Sequence, residues 1–201
     1  MINKFKDAIN WSLAIAVITL VLAAIFSIVS TLLLSGVTWA IGMLIVFTIV
    51  LIGIFFDMVG IAATAADETP FHAMASERVF GAKQSIHIVR NADRFASFCN
   101  DVIGDISGII SGTASAIVVI QFTLSMQHQE DSAFHYVISV VFTSVVAALT
   151  VGGKAFGKSL AMKYSTPIIF QAGKVFHLLE NNFKITILKD NKNKKKRKRK
   201  K

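Results

Sequence analysis

The strongest constraint on this sequence is a run of 49 residues, from Ala8 to Phe56, without Asp, Glu, Lys or Arg. A helix needs about 20 residues to cross the hydrocarbon layer of a bilayer, so this run is too long for one crossing. Small, turn-forming residues interrupt it at Ser35-Gly36-Val37-Thr38. We therefore predict two spans, at about 11–34 and 39–59. Both must be helical, because backbone amides in lipid have no water to bond.

Two later apolar stretches predict a third span at about 102–124, broken only by Asp105, and a fourth at about 133–152. Hydrophobic residues make up 54% of the 201 residues. That share exceeds the 45–50% typical of globular chains, and one soluble core of this size could not bury it. The predicted fold class is all-α: a polytopic membrane helical bundle of about four transmembrane helices with cytosolic amphipathic helices.

The remaining segments mix charged and apolar residues. The stretch 67–101 reads as one or two amphipathic surface helices, starting at Asp67 or Thr69 because Pro70 suits a first helical turn. A second amphipathic helix is expected after Lys154, with an interruption at Pro167. The predicted division is 1–10 (N-terminus), 11–66 (two spans), 67–101 (amphipathic segment), 102–153 (two spans), 154–190 (juxtamembrane helix) and 191–201 (polybasic tail).

Charge predicts the orientation. With four spans, all 21 Lys and Arg residues fall on one side of the membrane, which the positive-inside rule assigns to the cytosol. The aromatic residues near the proposed span ends agree with this topology: Trp11, Trp39, Tyr136 and Tyr164. We expect a multi-pass protein of the plasma membrane with both termini in the cytosol.

Two carboxylates lie within the predicted spans, where charge is costly and functional by default. Asp57 and Asp105 are both near inner span ends, and Lys154 is at a similar depth, so the three are expected to meet. One interpretation is a cation site, with Ser107 and Ser111 adding oxygen ligands. The other is an interfacial salt bridge in which Lys154 neutralises the carboxylates, and the residues by themselves favour it.

Gly104, Gly108 and Gly112 form a doubled G-x-x-x-G in the third span. Small residues at this spacing let another helix approach closely. The pattern predicts tight helix packing, either within the subunit or across a homodimer.

The last ten residues include nine Lys or Arg. Such a tail should be disordered and lie against anionic lipid. The predicted lipid-binding residues are Lys194, Lys195, Lys196, Arg197, Lys198 and Arg199. Nucleic-acid binding is not expected, because the tail is tethered to a membrane. The sequence has no H-E-x-x-H, G-x-S-x-G, Walker loop or CxxC, so an enzyme is not expected either.

Three stretches together resemble the transmembrane domain of the CorC/CorB/CNNM family of magnesium and cobalt transport proteins. Phe55-Phe56-Asp57 through Ala65 is similar to the family's F-F-S-x-S-E-x-A-L. Gly81 through Arg94, followed by Ile103-Gly104-Asp105, resembles its G-x-x-A-x-x-A-L-x-L and I-G-N-x-x-x-N. Gly153 through Ala161 resembles G-E-x-x-P-K-x-L-A. The resemblance covers about residues 40–180. It implies a divalent-cation transporter fold, with Asp57 and Asp105 contacting Mg²⁺ as the transported ion.

The departures from the family pattern concern the polar groups. The family's second serine and glutamate are replaced by Val59 and Gly60, and Ile109 stands at its second asparagine. Lys154 replaces a glutamate and would repel Mg²⁺. The span at 11–34 is additional, and no CBS pair follows. The sequence therefore favours a membrane protein of this transport family, active or degenerate. The alternative is a non-transporting scaffold or accessory subunit that acts through helix packing and its tail.

Overall fold

The computed structural model describes residues 2–126 and 133–183 of the chain. Every regular element in these ranges is a helix, which confirms the predicted all-α class. The elements are α1 (Ile2–Ser35), α2 (Trp39–Ala65), α3 (Thr69–Ser76), α4 (Ala82–Arg90), α5 (Ala92–Ser97), a π-helical segment (Phe98–Gly104), α6 (Asp105–Ser125), α7 (Ala133–Lys163) and α8 (Ser165–Phe183).

Four helical stretches are long and apolar enough to cross a membrane: Trp11–Ser35, Trp39–Ala65, Ala92–Ser125 and Ala133–Lys163. At 1.5 Å per residue, a helix of this length exceeds the roughly 30 Å of the hydrocarbon layer. The predicted turn between the first two spans is confirmed at residues 36–38. The protein is therefore an integral membrane protein with several crossings.

The helices extend beyond the apolar stretches from which they were predicted. The predicted divisions at 101/102 and 153/154 do not coincide with helix ends: one continuous helical rod runs from Ala92 through the π-helical segment into α6, and α7 continues to Lys163. Hydropathy reports which solvent surrounds a residue. Polar side chains such as Asp101 and Lys154 leave the backbone hydrogen bonds of a helix intact.

The interruption predicted at Pro167 lies at Tyr164 instead, between α7 and α8. Pro167 is in the first turn of α8. The first four N–H groups of a helix have no partner within the helix, so the missing proline N–H is tolerated there.

Helix α2 lies at the centre of the spans and packs against α6 and α7. Glycines bring it close to α6. A methyl group added at Gly42 would lie 2.8 Å from Val118 Cγ2, and one added at Gly53 would lie 2.8 Å from Ser107 Cβ. The buried core between these helices and the end of α1 consists of Leu34, Val46, Val50, Ala114, Val118 and Val146. We call α1, α2, α6 and α7 the span bundle.

At the end of the span bundle, helices α3, α4, α5 and α8 pack with the end of α2 into a second unit, which we call the helical cap. Its core is built on Phe71, Ile88 and Ile169. The stretch 67–101 thus forms three helices instead of the one or two predicted. The predicted start at Thr69 is confirmed, and Asp67 Oδ1 accepts a 3.1 Å hydrogen bond from the Thr69 N–H.

Candidate functional site

The three charged residues singled out in the sequence meet between three spans. The Lys154 ammonium on α7 lies 3.7 Å from Asp57 Oδ1 on α2 and 3.4 Å from Asp105 Oδ1 on α6. The prediction that these residues share one level of the bundle is confirmed. We refer to them as the charged triad.

Glycines allow the backbones around the charged triad to come this close. Gly153, directly before Lys154, faces Ile54 on α2, and a Cβ there would overlap the Ile54 side chain. A methyl group at Gly104 would lie 3.6 Å from both Asp57 Oδ1 and Lys154 Nζ. Any larger side chain at Gly104 would enter the space occupied by the ion pairs. Gly153 therefore allows α7 to approach α2 beside the charged triad, and Gly104 leaves room for the ion pairs.

The members of the charged triad differ in exposure. The side chain of Asp57 is 14% exposed and that of Lys154 26%, whereas that of Asp105 is 64% exposed. Two ionised carboxylates and one ammonium carry a net charge of about −1, and the attraction is strongest where water is excluded. Lys154 supplies the positive charge that a bound cation would otherwise supply.

The π-helical segment directly precedes Asp105, and the sequence analysis did not anticipate it. π-Helical turns are rare and often occur at functional sites. Within it, Asn100 faces Gly60, where an added Cβ would lie 2.8 Å from Asn100 Cγ. Asn100 Oδ1 is buried and accepts no hydrogen bond from the residues that the structure describes. The only sequence signal for this contact is Gly60 itself, three residues after Asp57 on α2.

The two serines proposed as extra ligands do not join the charged triad. Ser107 Oγ donates to Ile103 O at 2.7 Å, and Ser111 Oγ donates to Gly108 O at 2.9 Å. Ser107 borders a cavity beside α1, while Ser111 borders a groove beside α7. Among the described residues, no three His, Cys, Asp or Glu side chains are grouped to hold a metal ion. Of the four predicted cation ligands, the structure assembles only the two carboxylates.

The glycine face of α6 is not uniform. Gly104 touches the charged triad, but a methyl group at Gly108 or Gly112 would meet nothing within 4 Å. Both glycines border an open groove of about 250 Å³ between α6 and α7. The predicted close packing at Gly108 and Gly112 is therefore not within the subunit. Packing across a homodimer stays a prediction.

The helical cap carries a separate polar cluster. Glu68 Oε1 accepts hydrogen bonds from His72 Nε2, at 2.7 Å, and from Arg90 Nε. The hydrogen bond from His72, followed by that from Arg90, lowers the pKa of Glu68 below its usual 4.5. The cluster ties α3 to α4 and is exposed to solvent, which indicates a structural role.

The predicted lipid-binding residues Lys194 to Arg199 lie outside the described residues, as does the loop 127–132 between the third and fourth spans. The lipid-binding role of the tail stays a prediction.

No protein-family model matches this chain, and no curated protein or solved structure is detectably similar to it. The resemblance to the CorC/CorB/CNNM transmembrane domain rests on the three stretches quoted above.

Proposed function

We propose that this protein is a membrane protein of CorC-like design in which Lys154 takes the place of the divalent cation. In the state described by the structure, the Asp57–Asp105 site would therefore not carry Mg²⁺ or Co²⁺. One observation supports the proposal above all: Lys154 Nζ lies within 4 Å of both carboxylates that the resemblance implies as cation contacts.

Electrostatic repulsion between the Lys154 ammonium and a divalent cation prevents both from occupying this site together. Two unit charges 4 Å apart near a protein surface interact by about 4 kcal/mol, and a doubly charged ion is repelled about twice as strongly. A penalty of that size reduces the affinity for Mg²⁺ by several powers of ten. A divalent cation could enter only after the Lys154 side chain had moved away.

A second candidate function is transport with Lys154 as a gate. The exposure of Asp105 and the excess of one carboxylate in the charged triad favour it. With Lys154 withdrawn, two carboxylates would remain. Mg²⁺ is commonly held by one or two carboxylates and keeps several of its waters.

The deciding experiment measures the thermal stability of the detergent-purified protein with and without millimolar Mg²⁺ or Co²⁺. A ligand at 100 times its Kd stabilises the native state by about 2.7 kcal/mol. We expect no shift for wild type and a clear shift for Lys154→Gln, which removes the charge but keeps most of the side chain. The double variant Lys154→Gln/Asp105→Asn should lose that shift. Lys158→Gln, an exposed lysine one turn further along α7, is the matched control.

Two outcomes would contradict the proposal. If wild type is stabilised and Asp105→Asn abolishes the effect, the cation displaces Lys154 and transport with a gate becomes the better model. If neither wild type nor Lys154→Gln responds to either ion, the charged triad is only a structural ion-pair cluster. The chain is then better described as a scaffold or accessory subunit.

The proposal includes the cytosolic location of both termini and of the helical cap, at the plasma membrane. Single cysteines test it with a membrane-impermeant maleimide. Ser125→Cys, at the exposed end of α6, should react in intact cells, whereas Ser76→Cys, exposed in the cap, should react only after permeabilisation. The native Cys99 is buried and serves as the background. The opposite labelling pattern would invert the topology.

A further inference from the structure

An apolar cavity of about 510 Å³ lies between α1, α2 and α6, on the opposite side of α6 from the Gly108–Gly112 groove. Its walls include Leu22, Phe26 and Leu33 on α1, Ile49 on α2, and Ile110 on α6. Ligand sites in proteins typically have volumes of about 300–1,000 Å³ and mostly apolar walls with a few polar groups. The cavity therefore has the dimensions and the chemistry of a site for an apolar molecule.

One hydroxyl in the cavity wall has no hydrogen-bond partner among the described residues. Ser30 is 7% exposed, and its buried Oγ makes no hydrogen bond to any of them. Hydroxyls in helices usually return to the backbone carbonyl three or four residues earlier. On the same helix, Thr31 donates to Ser27 O and Ser35 donates to Leu32 O, both at 2.9 Å. Ser30 is thus a buried donor that an occupant of the cavity can satisfy, and a buried donor left unpaired is unfavourable.

The size of the cavity matches one hydrocarbon chain. An apolar cavity of about 150 Å³ accommodates benzene, so a space of about three times that volume holds roughly 18 carbon atoms. Along α1 the lining extends from Leu22 to Leu33, which is about 16 Å at 1.5 Å per residue. The volume fits a single acyl chain of about 16 to 18 carbons by the same benzene comparison. The length is about half of the roughly 30 Å hydrocarbon layer, which is the depth of one leaflet.

We propose that this cavity binds one acyl chain of a membrane glycerolipid, whose ester carbonyl accepts a hydrogen bond from Ser30 Oγ. Phe26 and Leu33 line the cavity and are about half exposed, so the cavity is open at its α1 side and a chain can enter sideways from the bilayer. A helix of a second copy would satisfy Ser30 poorly, because its backbone carbonyls are already bonded within the helix. Water would find too few polar partners between these walls. The proposal is independent of cation binding at the charged triad.

The test uses nanodiscs of phosphatidylcholine in which a fraction of the lipid carries a diazirine midway along one acyl chain. After illumination, mass spectrometry maps the labelled residues. The label should be enriched on cavity-lining residues of α1, α2 and α6 relative to the exposed face of α7. Leu33→Trp, which fills the cavity, should abolish the enrichment. Leu32→Trp, the adjacent exposed leucine outside the lining, should leave it unchanged.

A second variant tests the hydrogen bond without changing the walls. Ser30→Ala removes the donor, and phospholipid labelling of the cavity should fall about fivefold, the effect of one ordinary hydrogen bond. Labelling by a diazirine-bearing hexadecane, which has no carbonyl, should stay the same. This variant keeps the test decisive even if Leu33→Trp fails to fold.

Two results would overturn the proposal. The first is labelling spread evenly over all lipid-facing helices and unaffected by Leu33→Trp or Ser30→Ala, which is the signature of bulk lipid. The second is cross-linking between two copies of the chain through the cavity residues, which would show a protein helix in the place assigned to the lipid.

Discussion

The span bundle and the helical cap are both made of helices, yet the outer spans α1 and α7 bury far fewer apolar side chains than the core of the cap does. In the most apolar stretch of α1 no residue is buried, and α7 is nearly as exposed, with large residues such as Val151 facing outward. In the cap, Phe71, Ile88 and Ile169 are at most 1% exposed. The difference follows from the solvent: lipid tails are as apolar as leucine, so a span gains little by burying it, whereas water drives burial.

Because no hydrophobic drive closes the span bundle, its shape depends on a few close contacts. Glycines at 42 and 53 draw α2 against α6, and elsewhere the helices leave the cavity beside α1 and the groove at Gly108 and Gly112. Spaces large enough for a ligand therefore occur among the spans. In the cap, the side chains of Phe71, Ile88 and Ile169 form a buried core.

The largest expected effect comes from removing a cap core side chain. Phe71→Ala should lower the free energy of unfolding by about 3–5 kcal/mol, because the cavity it leaves is lined by a packed core. Leu51→Ala, an exposed leucine on α2, should cost less than about 1 kcal/mol. Denaturant titration in detergent, followed by circular dichroism, measures both. Equal losses would refute the distinction between the two regions.

Alanine substitutions at Gly173 in the cap and at Gly112 in the span bundle compare how closely the helices pack in the two units. A Cβ at Gly173 in α8 would overlap Ser85 Oγ and lie 2.7 Å from Gly81 O, so Gly173→Ala should destabilise the protein by about 1–3 kcal/mol. Gly112→Ala enters open space and should not destabilise the protein, because alanine is favoured over glycine inside a helix by roughly 0.5–1 kcal/mol. The melting temperature in detergent distinguishes them. A large loss for Gly112→Ala would indicate that a second copy packs on this face, as the homodimer prediction requires.

The charged triad allows the effect of burial on an ion pair to be measured, because the same lysine pairs with a shielded aspartate and an exposed one. Asp57→Asn removes the shielded partner and should cost about 1–3 kcal/mol, the range for hydrogen bonds and pairs involving charged groups. Asp105→Asn removes an exposed partner and should cost less than about 1 kcal/mol. Unfolding without divalent ions measures each. Equal costs would mean that the two carboxylates are equally hydrated.

The smallest expected effect is a pH dependence confined to the cap. Because the pKa of Glu68 is lowered in the folded protein, its contribution to stability is complete above the unfolded value of about 4.5 and is lost as the pH falls through the folded value. Glu68→Gln should therefore flatten the fall of the melting temperature between about pH 6 and pH 3. His87→Gln, a partly buried residue on α4 outside this cluster, is the control. If the melting temperature of Glu68→Gln falls with pH as steeply as that of wild type, Glu68 does not contribute to the loss of stability in acid.

The sequence was sufficient for the features that depend on solvent. Apolar stretches located four spans, the cluster at 35–38 located a turn, and depth along the spans placed Asp57, Asp105 and Lys154 at one level. The sequence did not locate the helix ends where helices continue past the apolar stretches, because polar side chains do not end a helix. The π-helical segment and Asn100 left no signal in hydropathy.

The tertiary structure decided which face of each span meets which neighbour. Ser107 and Ser111 lie near Asp105 in sequence, yet they face different spaces, and only Gly104 of the three spaced glycines makes a close contact. A span that is apolar on every side carries no periodic signal for its inner face. In lipid, the inner face of a span is determined by the fit of its side chains to the neighbouring helices and by the few polar groups that find partners there. Both depend on the tertiary structure.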